Sequence, residues 1–352
     1  MEPWFTKKLT AWYKINKRDL PWRNQQNPYY IWLSEIILQQ TQVVQGLKYY
    51  LKFVKNYPTV KHLANATEDE ILKDWQGLGY YSRARNLHSA AKFILENYAG
   101  RFPTNYIDIK NLKGVGDYTA AAIASFAFNL PHAVVDGNVY RVLSRLFGIE
   151  TAIDSGLGKK QFQQLANELL DTKNAAMHNQ AIMEFGSQYC KPVNPNCTNC
   201  IFNKKCFAFA NGLVSSLPIK QKKAKIKNRY LNYFIIVDKN KNVIINKRAT
   251  NDIWKGLYEF YLIETEKQTS ELIVLKHTQL LKICGLNFTV KHSSIEYKHI
   301  LSHQHLYTKF YVLILKSSHK KTSKVCSVNS LKKLAFPRLI DKFLNNCNLD
   351  II

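Results

Sequence analysis

The chain has 352 residues, enough for two domains that each bury a core. Fifty lysines and arginines against 25 aspartates and glutamates leave a net charge of +25, a field suited to a polyanion such as nucleic acid. No window reaches the ~18 apolar residues of a membrane span, and the start, "MEPWFTKKLTAWYKI", lacks the apolar stretch of a secretion signal and the composition of a transit peptide. These features predict a soluble, cytoplasmic protein with no membrane partner, in which seven cysteines argue against a disulfide framework and any cluster among them points to metal.

From Trp4 to about Asn211 the apolar periodicity is helical, as in "YYIWLSEIILQQTQVV" and "QFQQLANELL", with Pro, Gly and Asn as punctuation. A helical domain is expected over residues 1–212. "GLVSSLPIKQKKAKIKNRY", with its proline, serines and lysine run, reads as a basic linker over 213–230. After Leu231 the period changes: "LNYFIIVDKNKNVIINKR" gives two apolar runs around a polar turn, and "LYTKFYVLIL" is another strand-like run. "QTSELIVLKHTQLLKIC" between them predicts one helix, so 231–352 should be a smaller α+β domain.

Within the first domain, "WLSEIILQQTQV" places Glu35 on a helix beside Ile31, Trp32 and Leu38. An unpaired carboxyl on that apolar face has its pKa raised, as a general acid requires. "LKGVGDYTAAAIASFAF" opens a helix after a Gly114–Val115–Gly116 turn, and the free N–H groups at such a helix start can grip a phosphate. Twenty residues past Gly116, in "HAVVDGNVYRVLSRLFG", Asp136 precedes a periodic run and reads as an N-cap, whose position favours the ionised carboxylate.

Cys190, Cys197, Cys200 and Cys206 follow a C-x6-C-x2-C-x5-C pattern. Four thiolates so close in sequence can surround zinc or an iron–sulfur cubane, and spacing does not separate the two. Cys284, Cys326 and Cys347 are scattered and read as ordinary core or surface residues.

This spacing at the end of a helical domain with a Gly-Val-Gly hairpin resembles the endonuclease III superfamily of helix-hairpin-helix DNA glycosylases. "LPWR", "NPYYIWLSEIILQQTQV", "WQGLGYYSRARNLH", "LKGVGDYTAAAIAS", "VDGNVYRVLSR" and "NQAIMEFG" are similar to segments of its MutY branch, the adenine DNA glycosylases, in the same order. The resemblance implies a multidomain protein: an all-α glycosylase domain with a [4Fe–4S] cluster on the four cysteines, then a Nudix-like domain. Lys204 and Lys205, in the loop closed by Cys200 and Cys206, would then be placed to meet a phosphate.

It further implies a monomer acting on double-stranded DNA that holds adenine opposite 8-oxoguanine or guanine, with the adenine flipped into a pocket. By resemblance Glu35 protonates the base, Asp136 stabilises the sugar cation and Asn138 supports one of these carboxylates. Trp22, Arg23 and Glu184 line the pocket, while Gln40 and Tyr80 wedge into the duplex. Bifunctional relatives carry a lysine where this chain has Tyr118; a tyrosine cannot form a Schiff base, so a monofunctional hydrolase is expected.

In the second domain, the stretch from Trp254 to Phe260 resembles the start of a Nudix fold, but Leu262 stands where a Nudix hydrolase needs a glutamate and no acidic helix follows. No pyrophosphohydrolase activity is expected. MutY members read 8-oxoguanine partly through a Phe-Ser-His loop; this chain has Leu301–Ser302–His303, keeping the polar pair and replacing the aromatic. The alternative for His299, His303 and His305 is the polar face of a strand. Competing readings of the whole are a pyrimidine-damage glycosylase with lyase activity and a non-catalytic iron–sulfur DNA-binding protein.

Overall fold

The structure, a computed structural model, describes residues 3–221, 226–249, 252–318 and 324–347. It falls into two compact units, one made of Met1–Asn65 with Asn86–Lys222, the other of Ala66–Arg85 with Lys223–Ile352.

The first unit is helical, as its periodicity predicts. At its centre lies the helix Asp117–Phe128, whose run of buried alanines lets Pro28–Leu38 and Ala175–Gln188 pack closely on either side. The helix Gly137–Phe147 is strongly amphipathic and buries Val139, Val142, Leu143 and Leu146 against Ala175–Gln188. The segment that carries the cysteines is anchored from inside: Phe202 stacks on Phe5 at 5.3 Å and meets Phe185 edge-on at 5.2 Å. Burying a phenylalanine contributes about 2 kcal/mol or more, so this ring pins an otherwise irregular loop.

The second unit is built on a seven-stranded mixed sheet. Lys227–Val237 and Gln304–Leu315 run parallel at its centre, with Tyr233 opposite Phe310 and Phe234 opposite Tyr311, their rings stacked in pairs. Phe288–Ser293 and Tyr297–Ile300 pair with Gln304–Leu315, and Tyr261–Thr265 with Lys227–Val237. The helix Arg338–Asn346 covers one face, laying Phe343 on Phe310 at 4.2 Å. Arg229 and Arg248, nearly buried, are held by Asp252, with Glu264 on Arg229 and Glu259 on Arg248.

Three details depart from the sequence reading. The strand Lys227–Val237 begins inside the expected linker; of that linker, residues 222–225 lie outside the described residues. The single helix expected over "QTSELIVLKHTQLLKIC" is two, Glu271–Leu275 and Thr278–Cys284, because His277 leaves the helical path and its Nδ1 caps the second. The segment Ala66–Arg85 belongs with the sheet: Tyr258 Oη donates to Asp69 at 2.9 Å, Gln76 Nε2 donates to Asp341 at 2.6 Å, and the backbone of Gly256 packs against Leu72. Those contacts link residues more than 180 positions apart, which periodicity does not register. Among the described residues no helix is long and apolar enough to cross a membrane.

Candidate active site

A cavity of about 190 Å³ opens between the helices Pro28–Leu38, Asp117–Phe128, Gly137–Phe147 and Ala175–Gln188, and Trp22, Arg23, Glu35, Tyr118, Asp136, Asn138 and Glu184 all face it. The structure thus gathers seven residues singled out in the sequence, although they lie up to 162 positions apart.

Glu35 sits in the middle of an almost wholly buried helix, where Asn27 caps the N-terminus and Pro28 fills the first turn. Burial pushes its carboxyl up to about 7, the neighbouring charge of Asp136 adds to this, and a hydrogen bond from Tyr118 with the charge of Arg23 opposes it. Tyr118 Oη donates to Glu35 Oε2 at 3.0 Å, and burial beside two carboxylates drives the phenol pKa far above its ordinary value. Tyr118 is therefore a fixed donor.

Asp136 is the N-cap of Gly137–Phe147. Its Oδ1 accepts from the backbone N–H groups of Asn138 at 2.9 Å and Val139 at 2.8 Å, and its Oδ2 accepts from Asn138 Nδ2 at 2.7 Å. The cap forms as read, but it does not depress the carboxyl: burial raises its pKa, and the three donors and Arg141 only moderate the rise. Asn138 supports Asp136 rather than Glu35. Gly186 permits this, because a Cβ there would stand 2.7 Å from the Cβ of Asn138.

Glu184 reaches the cavity as the hub of an ion cluster. It accepts from Arg18 Nε at 2.8 Å and Nη2 at 2.7 Å, from Arg23 Nη2, and from Gln188. Burial alone would raise its carboxyl, but the bonds from Arg18 and Arg23 hold it at about 2. It is locked as a carboxylate and organises the wall instead of exchanging protons. Arg23 also lies 5.8 Å from the centre of the Tyr13 ring, and Trp22 packs edge-on against Tyr50.

Two arginines were missed in the sequence. Arg18 braces Glu184 from the turn before Trp22, a pairing no local signal announces. Arg141 donates to Asn138 Oδ1 at 2.9 Å, to the carbonyl of Cys190 at 2.7 Å and to that of Gly186 at 2.6 Å. The helical i, i+3 spacing from Asn138 could have found it.

The hairpin also forms. Gly114 has φ +85°, and a Cβ there would come within 2.8 Å of Asn86, so both the turn and the close approach call for glycine. Gly116 is extended, caps Asp117–Phe128 without a side chain, and leaves open space where a Cβ would be. Beside that start, Asp117 is paired with Lys110 at 2.5 Å.

Gln40 and Tyr80 are not among the residues that line the cavity. Each is exposed on a turn with left-handed backbone, φ +54° and +47°, and Arg83 sits over the Tyr80 ring at 5.7 Å. Ser302 and His303 are exposed on the short turn between Tyr297–Ile300 and Gln304–Leu315, not on a strand face. His299 is on the strand, against Trp254.

Cys190, Cys197, Cys200 and Cys206 are free and half-buried. Burial raises the thiols of Cys197, Cys200 and Cys206, Cys200 to about 11, and the neighbouring cysteines raise them further. Arg145 Nη1 lies 3.6 Å from Cys190 Sγ, and its carbonyl accepts from Cys206 Sγ. Among the described residues no three His, Cys, Asp or Glu side chains are drawn together at metal-binding distance. Lys205, expected at a phosphate, rests 4.5 Å from the Trp4 ring.

Residues 33–172 match the HhH-GPD superfamily base excision DNA repair protein family, and residues 232–346 match the NUDIX domain. An adenine DNA glycosylase of Buchnera aphidicola subsp. Acyrthosiphon pisum is 31% identical over 355 residues, 99% of this chain and 98% of that one. The adenine DNA glycosylase of Buchnera aphidicola subsp. Baizongia pistaciae is 34% identical over 308 residues, covering 86% and 84%. Among solved structures, a thermostable thymine-DNA glycosylase superposes with a TM-score of 0.55 at 32% identity, over 59% of this chain and 95% of that one. A non-covalent endonuclease III–DNA complex, at 20% identity and a TM-score of 0.53 over 60% and 96%, shares the fold. A helix-hairpin-helix glycosylase match followed by a Nudix match, with relatives at 31% and 34% identity over 99% and 86% of its length, places this chain in the adenine DNA glycosylase family.

Proposed function

We propose that the chain removes adenine mispaired with 8-oxoguanine or guanine by hydrolysing its N-glycosidic bond, as a monomer and without cutting the strand. The observation that carries this is one cavity in which two of the three carboxyls, Glu35 and Asp136, stand free of the arginine cluster and in different surroundings. Glu35, poised near 7, is half protonated at neutral pH and can give its proton to N7 of a flipped adenine. Asp136, with three N–H donors on its oxygens, faces the sugar cation left behind, by charge or as a transient covalent adduct. Tyr118 in place of an amine, and no lysine among the cavity-lining residues, supports hydrolysis without a Schiff base.

Cys190, Cys197, Cys200 and Cys206 are the residues to hold a [4Fe–4S] cluster. Burial makes the thiols of Cys197, Cys200 and Cys206 costly to ionise, and each thiolate formed raises its neighbours further; binding to a metal would relieve that cost, and Arg145 lies beside Cys190 Sγ. The cluster would staple the basic loop. Gly114–Val115–Gly116 would grip a phosphate, Gln40 and Tyr80 would enter the duplex, and Ser302 with His303 would read the base opposite adenine.

Single-turnover base release tests the reading, using duplexes with adenine opposite 8-oxoguanine, guanine or thymine, thymine opposite guanine, and thymine glycol. Adenine should leave the first two. Release of thymine or thymine glycol, or none of adenine, overturns it. Borohydride should trap no covalent complex, and metal analysis should return iron rather than zinc.

A further inference from the structure

On the far side of Tyr118 from the candidate active site, the helical unit carries a second depression, an open groove of about 1040 Å³. Tyr118 lines both. The groove runs from Asp117, the first residue of the hairpin helix, along Tyr106, His132 and Tyr140 and down one face of the helix Gly156–Leu169 from Lys159 to Glu168. Tyr106 and His132 are stacked with centres 4.2 Å apart, and Tyr140 is braced edge-on by Phe162 at 5.0 Å.

The charges in the groove are unequal in kind. Asp117 is neutralised by Lys110 at 2.5 Å, and Glu168 accepts from Gln164 at 2.9 Å. Lys159 and Lys160 are exposed, and among the described residues neither side chain makes a hydrogen bond or ion pair. The groove therefore offers, among the described residues, two unpaired cations against one unpaired acid, Glu168, along a line of packed aromatic rings, a combination that can track a nucleic-acid backbone without reading sequence.

We propose that this groove continues the DNA track, with Lys159 and Lys160 binding phosphates of the strand beside the flipped nucleotide. The proposal rests on the reading of the chain as a DNA glycosylase, which adenine release by the unaltered protein tests separately. A phosphate contact differs from the general field of a +25 chain in being local. It is removed only by the lysines that make it.

The test compares Lys159→Gln/Lys160→Gln with a control of equal charge loss, Lys282→Gln/Lys291→Gln, on the exposed surface of the second unit. Duplex affinity is measured over a series of salt concentrations, with matched and mispaired duplexes. Each phosphate contact contributes about 0.9 to the slope of log affinity against log salt, so the groove pair should lower the slope by about 1.8 for both duplexes. The control should lower it much less and should release adenine at the unaltered rate. An unchanged slope, or an equal fall in the control, overturns the proposal.

Discussion

Arg141 and Asn138 stand one turn apart on the same helix, and the guanidinium Nη2 donates to the Asn138 side-chain oxygen at 2.9 Å. The same group bonds the carbonyls of Cys190 and Gly186, while the Asn138 amide donates to Asp136 Oδ2 at 2.7 Å. One planar fork thus orients the amide beneath Asp136 and ties it to the segment where the cysteines begin. Lysine keeps the charge but not the fork. Arg141→Lys should cost about 2 kcal/mol of stability from its lost charge-assisted bonds and slow adenine release tenfold or more. Thermal unfolding and single-turnover kinetics check both, and an unaltered release rate would separate Arg141 from the chemistry.

Burial of Glu35 carries a stability cost that depends on pH. Its folded pKa is raised from 4.5 to about 7, so it costs nothing below pH 4.5, where both states are protonated. Stability drains away as pH rises from 4.5 to about 7 and the cost is then constant, about 3 kcal/mol at 1.36 kcal/mol per pH unit. Glu35→Gln should release no adenine, yet resist urea better than the unaltered protein at pH 8 and no better at pH 4. Equal activity in the variant removes Glu35 from the mechanism.

Tyr118→Phe probes the same group from its partner. The phenol stabilises the carboxylate form of Glu35, so removing it lets the Glu35 pKa rise further. If Glu35 acts as an acid, adenine release falls as pH rises through its pKa. In the variant that fall should move up by about one pH unit. A midpoint that stays in place, measured by single-turnover rates between pH 6 and 9, contradicts this.

What was legible in the sequence follows the range of the physics. Glu35 among apolar helix neighbours and Asp136 before an amphipathic run are local patterns, and both hold. The Gly114 turn is local too. Whether Asp136 is raised or lowered depends on burial by distant helices, and there the cap alone misled. Arg18 meets Glu184 across 166 positions, and Tyr118 meets Glu35 across 83. Such pairs exist only after the helices have packed. The same holds for Ala66–Arg85, helical in pattern yet packed on the sheet.

The Glu184 cluster should behave as a structural unit. Its carboxyl is held down at about 2, so its contribution is present above pH 4.5 and is lost as pH falls toward 2. Glu184→Gln leaves Arg18 and Arg23 without their counter-charge in a mostly buried setting, which should cost about 3 kcal/mol at pH 7. Denaturant titrations at descending pH should show the gap to the unaltered protein narrowing below pH 4.5. A gap constant across that range would mean that charge is not what the cluster contributes.

Two backbone hydrogen bonds brace the turn that carries Ser302 and His303. Leu301 N–H donates to Gln304 O at 2.8 Å, and Lys227 N–H donates to His303 O at 3.1 Å, so the turn is held while both side chains stay exposed. Ser302 Oγ and His303 Nδ1 lie 3.3 Å apart, close enough to share one polar edge of a base. A hydrogen bond of ordinary strength contributes about 1 kcal/mol, and two give a discrimination of tens-fold. Ser302→Ala/His303→Ala should therefore bring release of adenine opposite 8-oxoguanine down toward the rate opposite guanine, leaving the latter unchanged. Both lie on an exposed turn, so the fold should not suffer. A preserved ratio would assign recognition of the opposite base to other residues.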